Sequence, residues 1–205
     1  MVRTAASIRK AVEALAAKEK AFAGVVDKHG IPEPRRSDPG AHTLLRTIVG
    51  QQVSVAAARS MWSKLEAAFG SPPDLSMLLA ASDEELRAAG MSRQKSGYIR
   101  SLAELVLSGD LNLDALPEDN EEAIALLTQI KGIGRWSAEI YLLFAEGRPD
   151  VWPAGDLAVQ IEIGRLMGLA DKPSEKHLRE IAEAWRPHRG AAAILAWHSY
   201  NSAVL

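Results

Sequence analysis

The segment Thr128-Gln129-Ile130-Lys131-Gly132-Ile133-Gly134-Arg135-Trp136-Ser137-Ala138 sets two glycines one residue apart between two helical patterns. Glycine reaches positive φ and has no Cβ to block an approaching backbone. The second helix starts near Gly134, so its amides and positive dipole end face out of the turn, where they suit an anion such as a phosphate. Lys131 and Arg135 are expected to add positive charge there. An ordinary tight helix–helix turn has the same glycine spacing, so the pattern alone leaves both readings open. Further along, Asp150-Val151-Trp152-Pro153-Ala154-Gly155-Asp156 ends in a carboxylate that opens another helical pattern. By itself Asp156 reads as an N-cap satisfying helix amides.

The rest of the chain must position these groups, and its composition narrows how. There are 205 residues, with 24 Lys and Arg against 26 Asp and Glu, a formal net charge of -2. Bulk electrostatics therefore supplies no general pull toward a polyanion, and any such binding must come from local geometry. The absence of cysteine excludes disulfides, thiolate zinc sites, cysteine nucleophiles and cysteine-held iron–sulfur clusters. No apolar run is long enough to span a bilayer, and no secretory signal or membrane association is expected.

Apolar residues recur at helical spacing in segment after segment. Ile8, Val12, Leu15, Phe22 and Val26 predict one amphipathic helix, Ala58, Trp62, Leu65 and Phe69 another, and Tyr98, Ile99, Leu102, Leu105 and Val106 a third. Trp136, Ile140, Leu143 and Phe144 continue the pattern after the glycine hairpin. Period-two runs are scarce, so the fold is expected to be all-α without a sheet. Breaks fall at His29-Gly30-Ile31-Pro32, Ser37-Asp38-Pro39-Gly40, Gly70-Ser71-Pro72-Pro73, Gly109-Asp110 and Leu116-Pro117. Ser82-Asp83-Glu84-Glu85 offers a capping box, and the acidic run 118–122 reads as a helix start. With no repeat and no long linker, the expectation is a single domain, 1–205, of two lobes: 31–148, and 1–30 with 149–205.

Five motifs, in order, resemble the helix-hairpin-helix DNA glycosylases of base excision repair. They are Gly50-Gln51-Gln52-Val53-Ser54, Gly90-Met91-Ser92-Arg93-Gln94-Lys95, the Gly132-Ile133-Gly134-Arg135-Trp136 hairpin, Pro153-Ala154-Gly155-Asp156, and Trp185-Arg186-Pro187-His188-Arg189 leading to Trp197. The likeness runs from about residue 40 to 200 and is strongest to the DNA-3-methyladenine glycosylase II branch. It implies two helical lobes with the target base flipped into the cleft between them, and a helix-hairpin-helix motif gripping double-stranded DNA. Helical periodicity from about residue 5 leads us to expect none of the β-rich N-terminal domain that some alkylpurine glycosylases carry.

The resemblance also implies roles. Asp156 matches the catalytic aspartate, Trp136 and Trp197 match aromatic positions of the base pocket, and Gln52 falls where relatives fill the hole left by the flipped nucleotide. A polar cap on the helix through Ala58 and Trp62 is the alternative for Gln52. Gln51, Lys131, Gly132, Ile133, Gly134 and Arg135 complete the expected DNA contacts. Backbone carbonyls of Thr128, Ile130 and Ile133 match those holding a monovalent cation, sodium or potassium, in relatives; no other cofactor and no iron–sulfur cluster is expected. Bifunctional members carry a lysine where this chain has Trp136, so strand-cutting is not expected. Ile140 departs from the branch's tyrosine one turn after the hairpin tryptophan, which puts the range of accepted bases in question.

Weaker candidates remain. Arg93, Lys95 and Arg100 could meet phosphates of the opposite strand or be a solvated face. Trp62, Trp152 and Trp185 read as core, and His198 draws interest only by adjoining Trp197. The expected protein is a cytoplasmic monomer, lying with the nucleoid, that removes alkylated purines such as 3-methyladenine from DNA by hydrolysis. The same fold removing hypoxanthine, ethenoadenine or an oxidised base, or binding damaged DNA without catalysis, is the alternative.

Overall fold

The structure is a computed structural model describing residues 4–204. Among them every regular element is helical: α1 (Ala5–Lys18), α2 (Lys20–His29), α3 (Ala41–Gly50), α4 (Val55–Phe69), α5 (Leu75–Ala80), α6 (Asp83–Ala88), α7 (Arg93–Ser108), α8 (Asn120–Leu127), α9 (Arg135–Phe144), α10 (Leu157–Leu166), α11 (Glu175–Ala182), a 3-10 turn at Glu183–Trp185, and α12 (Arg189–Val204). None of these helices is long and apolar enough to cross a membrane. The chain forms two compact units, one from the residues up to Ser37 and from Leu142 on, the other Asp38–Tyr141. These boundaries lie inside the expected 31–148. The reason is local: the Ser37 amide donates to the Phe144 carbonyl at 3.1 Å, which docks the Pro32–Ser37 segment on the end of α9 within the first unit.

In the first unit, α12 packs against α1, α2 and α10. Ala191, Ala192, Ala193 and Ala196 on α12 are fully buried, since small side chains let neighbouring helices approach it closely. Phe22 meets the Trp185 ring edge-on at 5.0 Å, and Trp152 meets it at 5.4 Å. Trp62, Trp152 and Trp185 are core residues, as the spacing predicts. The single helix expected over Ile8–Val26 is instead two helices. Glu19 is extended at φ -131° and ψ 112°, and this turns the chain so that Val25 rather than Val26 is buried.

α10 is tied to α12 by a polar cluster. Arg165 Nε donates to Glu162 Oε2 at 3.0 Å, and its guanidinium reaches Ser199 Oγ at 3.3 Å. Burial alone would push the Glu162 carboxyl up, but hydrogen bonds from Arg165 and Ser199, with the charges of Arg165 and His29, hold it below the usual carboxylate range. A depressed folded-state pKa contributes stability above the unfolded value that is lost as pH falls through that range. Thermal melts should therefore show wild type more stable than Glu162→Gln at neutral pH, with the gap closing below about pH 4 to 5. A gap independent of pH would remove the carboxylate charge from the account.

In the second unit α7 is the central helix, packing on α3, α5 and α6. Its Ile99, Leu102 and Ala103 are fully buried. Ser82 and Glu85 form the expected capping box on α6, and Asp119 caps α8 by accepting from Glu121 and Glu122 amides at 2.8 and 3.0 Å.

Candidate active site and nucleic-acid interface

Asp156 is the N-cap of α10, half-buried at the end of the Pro153-Ala154-Gly155 turn. Its Oδ1 accepts the Val159 amide at 3.0 Å and the Trp197 indole N–H at 3.0 Å. The cap reading holds, and the two bonds fix the orientation of a carboxylate that stays partly accessible. Trp197, from α12, therefore does more than offer a ring face: it holds the carboxylate.

The Trp197 ring also walls a pocket of about 340 Å³ in the first unit. Phe144 forms a second aromatic wall, tilted 33° with centroids 5.7 Å apart. Pro32, Pro34, His198 and Asn201 complete much of the rest. Its volume falls near the low end of ligand pockets, about 300–1,000 Å³, and aromatic walls with a few polar groups suit a flat heterocycle. Phe144, Asn201 and the Pro32–Pro34 segment were not singled out from sequence. Of the five histidines, His198 alone lines this pocket; its Nε2 lies 2.8 Å from the His29 carbonyl oxygen.

Trp136 opens α9 just after the hairpin glycines. It belongs to the second unit, is 47% exposed, and lines an open recess of about 830 Å³ with Gln51, Gln52, Lys95 and Tyr98. Gln52 stands at its rim in the left-handed region at φ 55°, exposed, a conformation that costs a non-glycine residue about 1 kcal/mol. The cap reading for Gln52 is corrected: Ser54 caps α4, its hydroxyl accepting the Ala57 amide at 3.2 Å. Gln51 points inward to the hairpin, with Nε2 donating to the Gly132 carbonyl at 2.8 Å.

The hairpin joins α8 to α9. Gly132 has φ 84°, and a Cβ there would overlap the Tyr98 ring. Gly134 differs, because a Cβ there would meet nothing within 4 Å. The fold needs no bare backbone at Gly134, whereas something approaching from outside would. Gly132→Ala should cost about 2–5 kcal/mol, from positive φ and overpacking, while Gly134→Ala should cost at most about 1 kcal/mol as a poorer cap. Paired thermal melts check this, and equal losses would remove the distinction.

Lys131 is exposed, and its amide donates to Ser101 Oγ at 3.1 Å. The positive charge expected of Arg135 is a correction. Its guanidinium is held by Glu139 at 3.0 Å and by Glu121 at 2.8 Å, so two carboxylates offset it. Ile133 is buried, with its amide bonded to the Ile130 carbonyl at 3.0 Å. The basic face also shrinks: Lys95 is 9% exposed with Nζ on the Val49 carbonyl at 2.7 Å, and Arg100 pairs with Asp83 at 2.7 Å. Arg93 remains exposed.

Residues 45–187 match the model of the HhH-GPD superfamily of base excision DNA repair proteins. The chain belongs to this superfamily. A curated relative, DNA-3-methyladenine glycosylase 1 of Schizosaccharomyces pombe, is 34% identical over 75% of this chain and 69% of its own length. Among solved structures, the DNA-3-methyladenine glycosidase of Bacillus halodurans superposes with a TM-score of 0.86 at 30% identity, covering 95% of this chain and 90% of that one. A 3-methyladenine DNA glycosylase from Schizosaccharomyces pombe in complex with abasic DNA gives 0.78 at 30% identity, covering 96% and 97%.

Proposed function

We propose that this HhH-GPD protein is a DNA glycosylase of base excision repair that flips an alkylated purine, such as 3-methyladenine, out of double-stranded DNA and hydrolyses its N-glycosyl bond. The observation that carries the reading is Asp156, held by the Val159 amide and the indole of Trp197, whose ring walls a pocket sized for a small flat ligand. As the base leaves, the sugar gains oxocarbenium character, and a fixed carboxylate lowers the energy of that positive charge while orienting the attacking water. Water supplies the hydroxyl at the sugar carbon, its other proton passes to the Asp156 carboxylate and on to solvent, and the base departs with the bonding pair. A base already cationic from alkylation leaves without a separate general acid, and it stacks favourably on the electron-rich Trp197 and Phe144 rings.

Binding would rest on geometry, consistent with the net charge of -2. The N-terminus of α9 beyond Gly134 would take a backbone phosphate with Lys131 beside it, and Gln52 would enter the space the base vacates. The carbonyls of Thr128, Ile130 and Ile133 fit a hard monovalent cation, since they are neutral oxygen donors and Ile130 keeps a lone pair beyond its bond to Ile133. Such an ion would add positive charge beside the phosphate. Trp136 stands where a strand-cutting relative would have a lysine amine, so the product would be an intact abasic site. We read the working form as a cytoplasmic monomer. Ile140 and Phe144 on α9 favour a second reading, the same reaction on a different damaged base.

The test is incubation with methylated duplex DNA, with released bases identified and strand breaks assayed before and after alkali. Release of 3-methyladenine with breaks only after alkali is the expected result. Breaks before alkali would overturn the monofunctional reading. Release of no methylated base, with activity on hypoxanthine or ethenoadenine, would favour the second one; tight binding with no release from any lesion would leave a binding protein.

A further inference from the structure

Two loops of the second unit, the Gln51–Gln52 turn and the glycine hairpin, hang on one helix. Along α7, Lys95, Tyr98 and Ser101 follow at intervals of three, and each holds one of these loops. Lys95 Nζ donates to the Val49 carbonyl at 2.7 Å, in the last turn of α3 just before Gln51 and Gln52. The Tyr98 ring fills the space over Gly132, and Ser101 Oγ accepts the Lys131 amide at 3.1 Å. Gln51 closes the circuit by donating to the Gly132 carbonyl at 2.8 Å.

Lys95 is an expensive way to pack that position. Burial leaves it 9% exposed, with no carboxylate partner among the described residues, and lowers its ammonium pKa. Stripping much of the water from an ammonium at the edge of the recess for one carbonyl is unfavourable, and an apolar chain of similar length would fill the space more cheaply. What the ammonium adds is a directional bond at the negative end of α3, fixing the carbonyls from which the turn departs. That turn then holds Gln52 at φ 55°, against its own preference.

We propose that Lys95, Tyr98 and Ser101 are positioning residues for base flipping, with α7 setting the spacing between the Gln52 side chain and the hairpin amides. The inference rests on the glycosylase reading. Flipping requires the hole to be filled and the backbone to be gripped at one fixed separation. Two loops tied independently to one buried helix hold such a separation better than loops tied only to each other.

The experiment measures single-turnover excision of one lesion, both base-paired in a duplex and unpaired in a bulge, where extrusion costs little. Lys95→Met should lower the duplex rate about tenfold and the bulge rate less than about threefold, and in a Gln52→Ala background it should add nearly nothing, since residues acting through one another are non-additive. Ser101→Ala is the milder second variant should Lys95→Met melt early. Equal losses on both substrates, or losses that simply add to that of Gln52→Ala, would overturn the inference while the glycosylase reading stands. A wild type that excises from neither substrate would overturn both.

Discussion

Asp156→Asn should fold and melt like the wild type yet excise alkylated purines about a thousandfold more slowly or worse, the scale of losing a major electrostatic stabiliser of a transition state. The substitution is unusually clean here. Asparagine is as good an N-cap as aspartate, and its amide oxygen can still accept the Val159 amide and the Trp197 indole, each 3.0 Å from Oδ1 in the native chain. The charge is removed and one carboxylate oxygen becomes an amide NH2, while these two bonds can be kept. If the variant binds lesion DNA with unchanged affinity while single-turnover rate collapses, the carboxylate acts on the transition state rather than on the bound substrate. A variant retaining more than about a tenth of the activity would mean that oxocarbenium stabilisation is not the role of this charge.

The residues legible in the sequence are those whose role is local. Asp156 after Pro-Ala-Gly, the Ser82–Glu85 box, and Gly132 with Gly134 each depend on neighbours within a few positions, which capping and turn chemistry read directly. The misread residues depend on distant partners. Lys95 looked like part of a basic face because nothing nearby in sequence says that the end of α3 will cover it, 46 residues away in the chain. Phe144 looked like one more apolar position of α9, and becomes a pocket wall only when α12 brings Trp197 beside it. Arg135 is an intermediate case. Its partner Glu139 lies four residues on and was visible as an i,i+4 pair, but Glu121 reaches it across the hairpin. The family motifs name Trp136 and Trp197, but not the partners each meets within its own unit: the Gln52 turn beside Trp136, and Phe144 with the Asp156 carboxylate beside Trp197.

Trp197→Phe and Trp197→Ala should separate the two jobs of this side chain. Phenylalanine keeps an aromatic face against Phe144 but has no N–H for Asp156 Oδ1, so the loss is one hydrogen bond to a charged acceptor, about 1.5–3 kcal/mol. If the indole mainly orients the carboxylate, that loss falls on the chemical step: kcat drops about 10- to 150-fold while KM for a duplex lesion changes little. Alanine removes the ring as well, opening the 340 Å³ pocket on one side. KM should then rise as stacking is lost, by about tenfold beyond the phenylalanine variant, and the melting temperature should fall with the packing against Phe144. The contrast decides the assignment because a purely packing role predicts a different result for phenylalanine. In that case phenylalanine, nearly conserving the aromatic contact, would retain almost full kcat, and only alanine would be impaired. Measuring both variants against Asp156→Asn completes the argument. With the charge already gone, losing the indole N–H should cost far less than in the wild type, so Trp197→Phe in the Asp156→Asn background should be nearly silent in kcat.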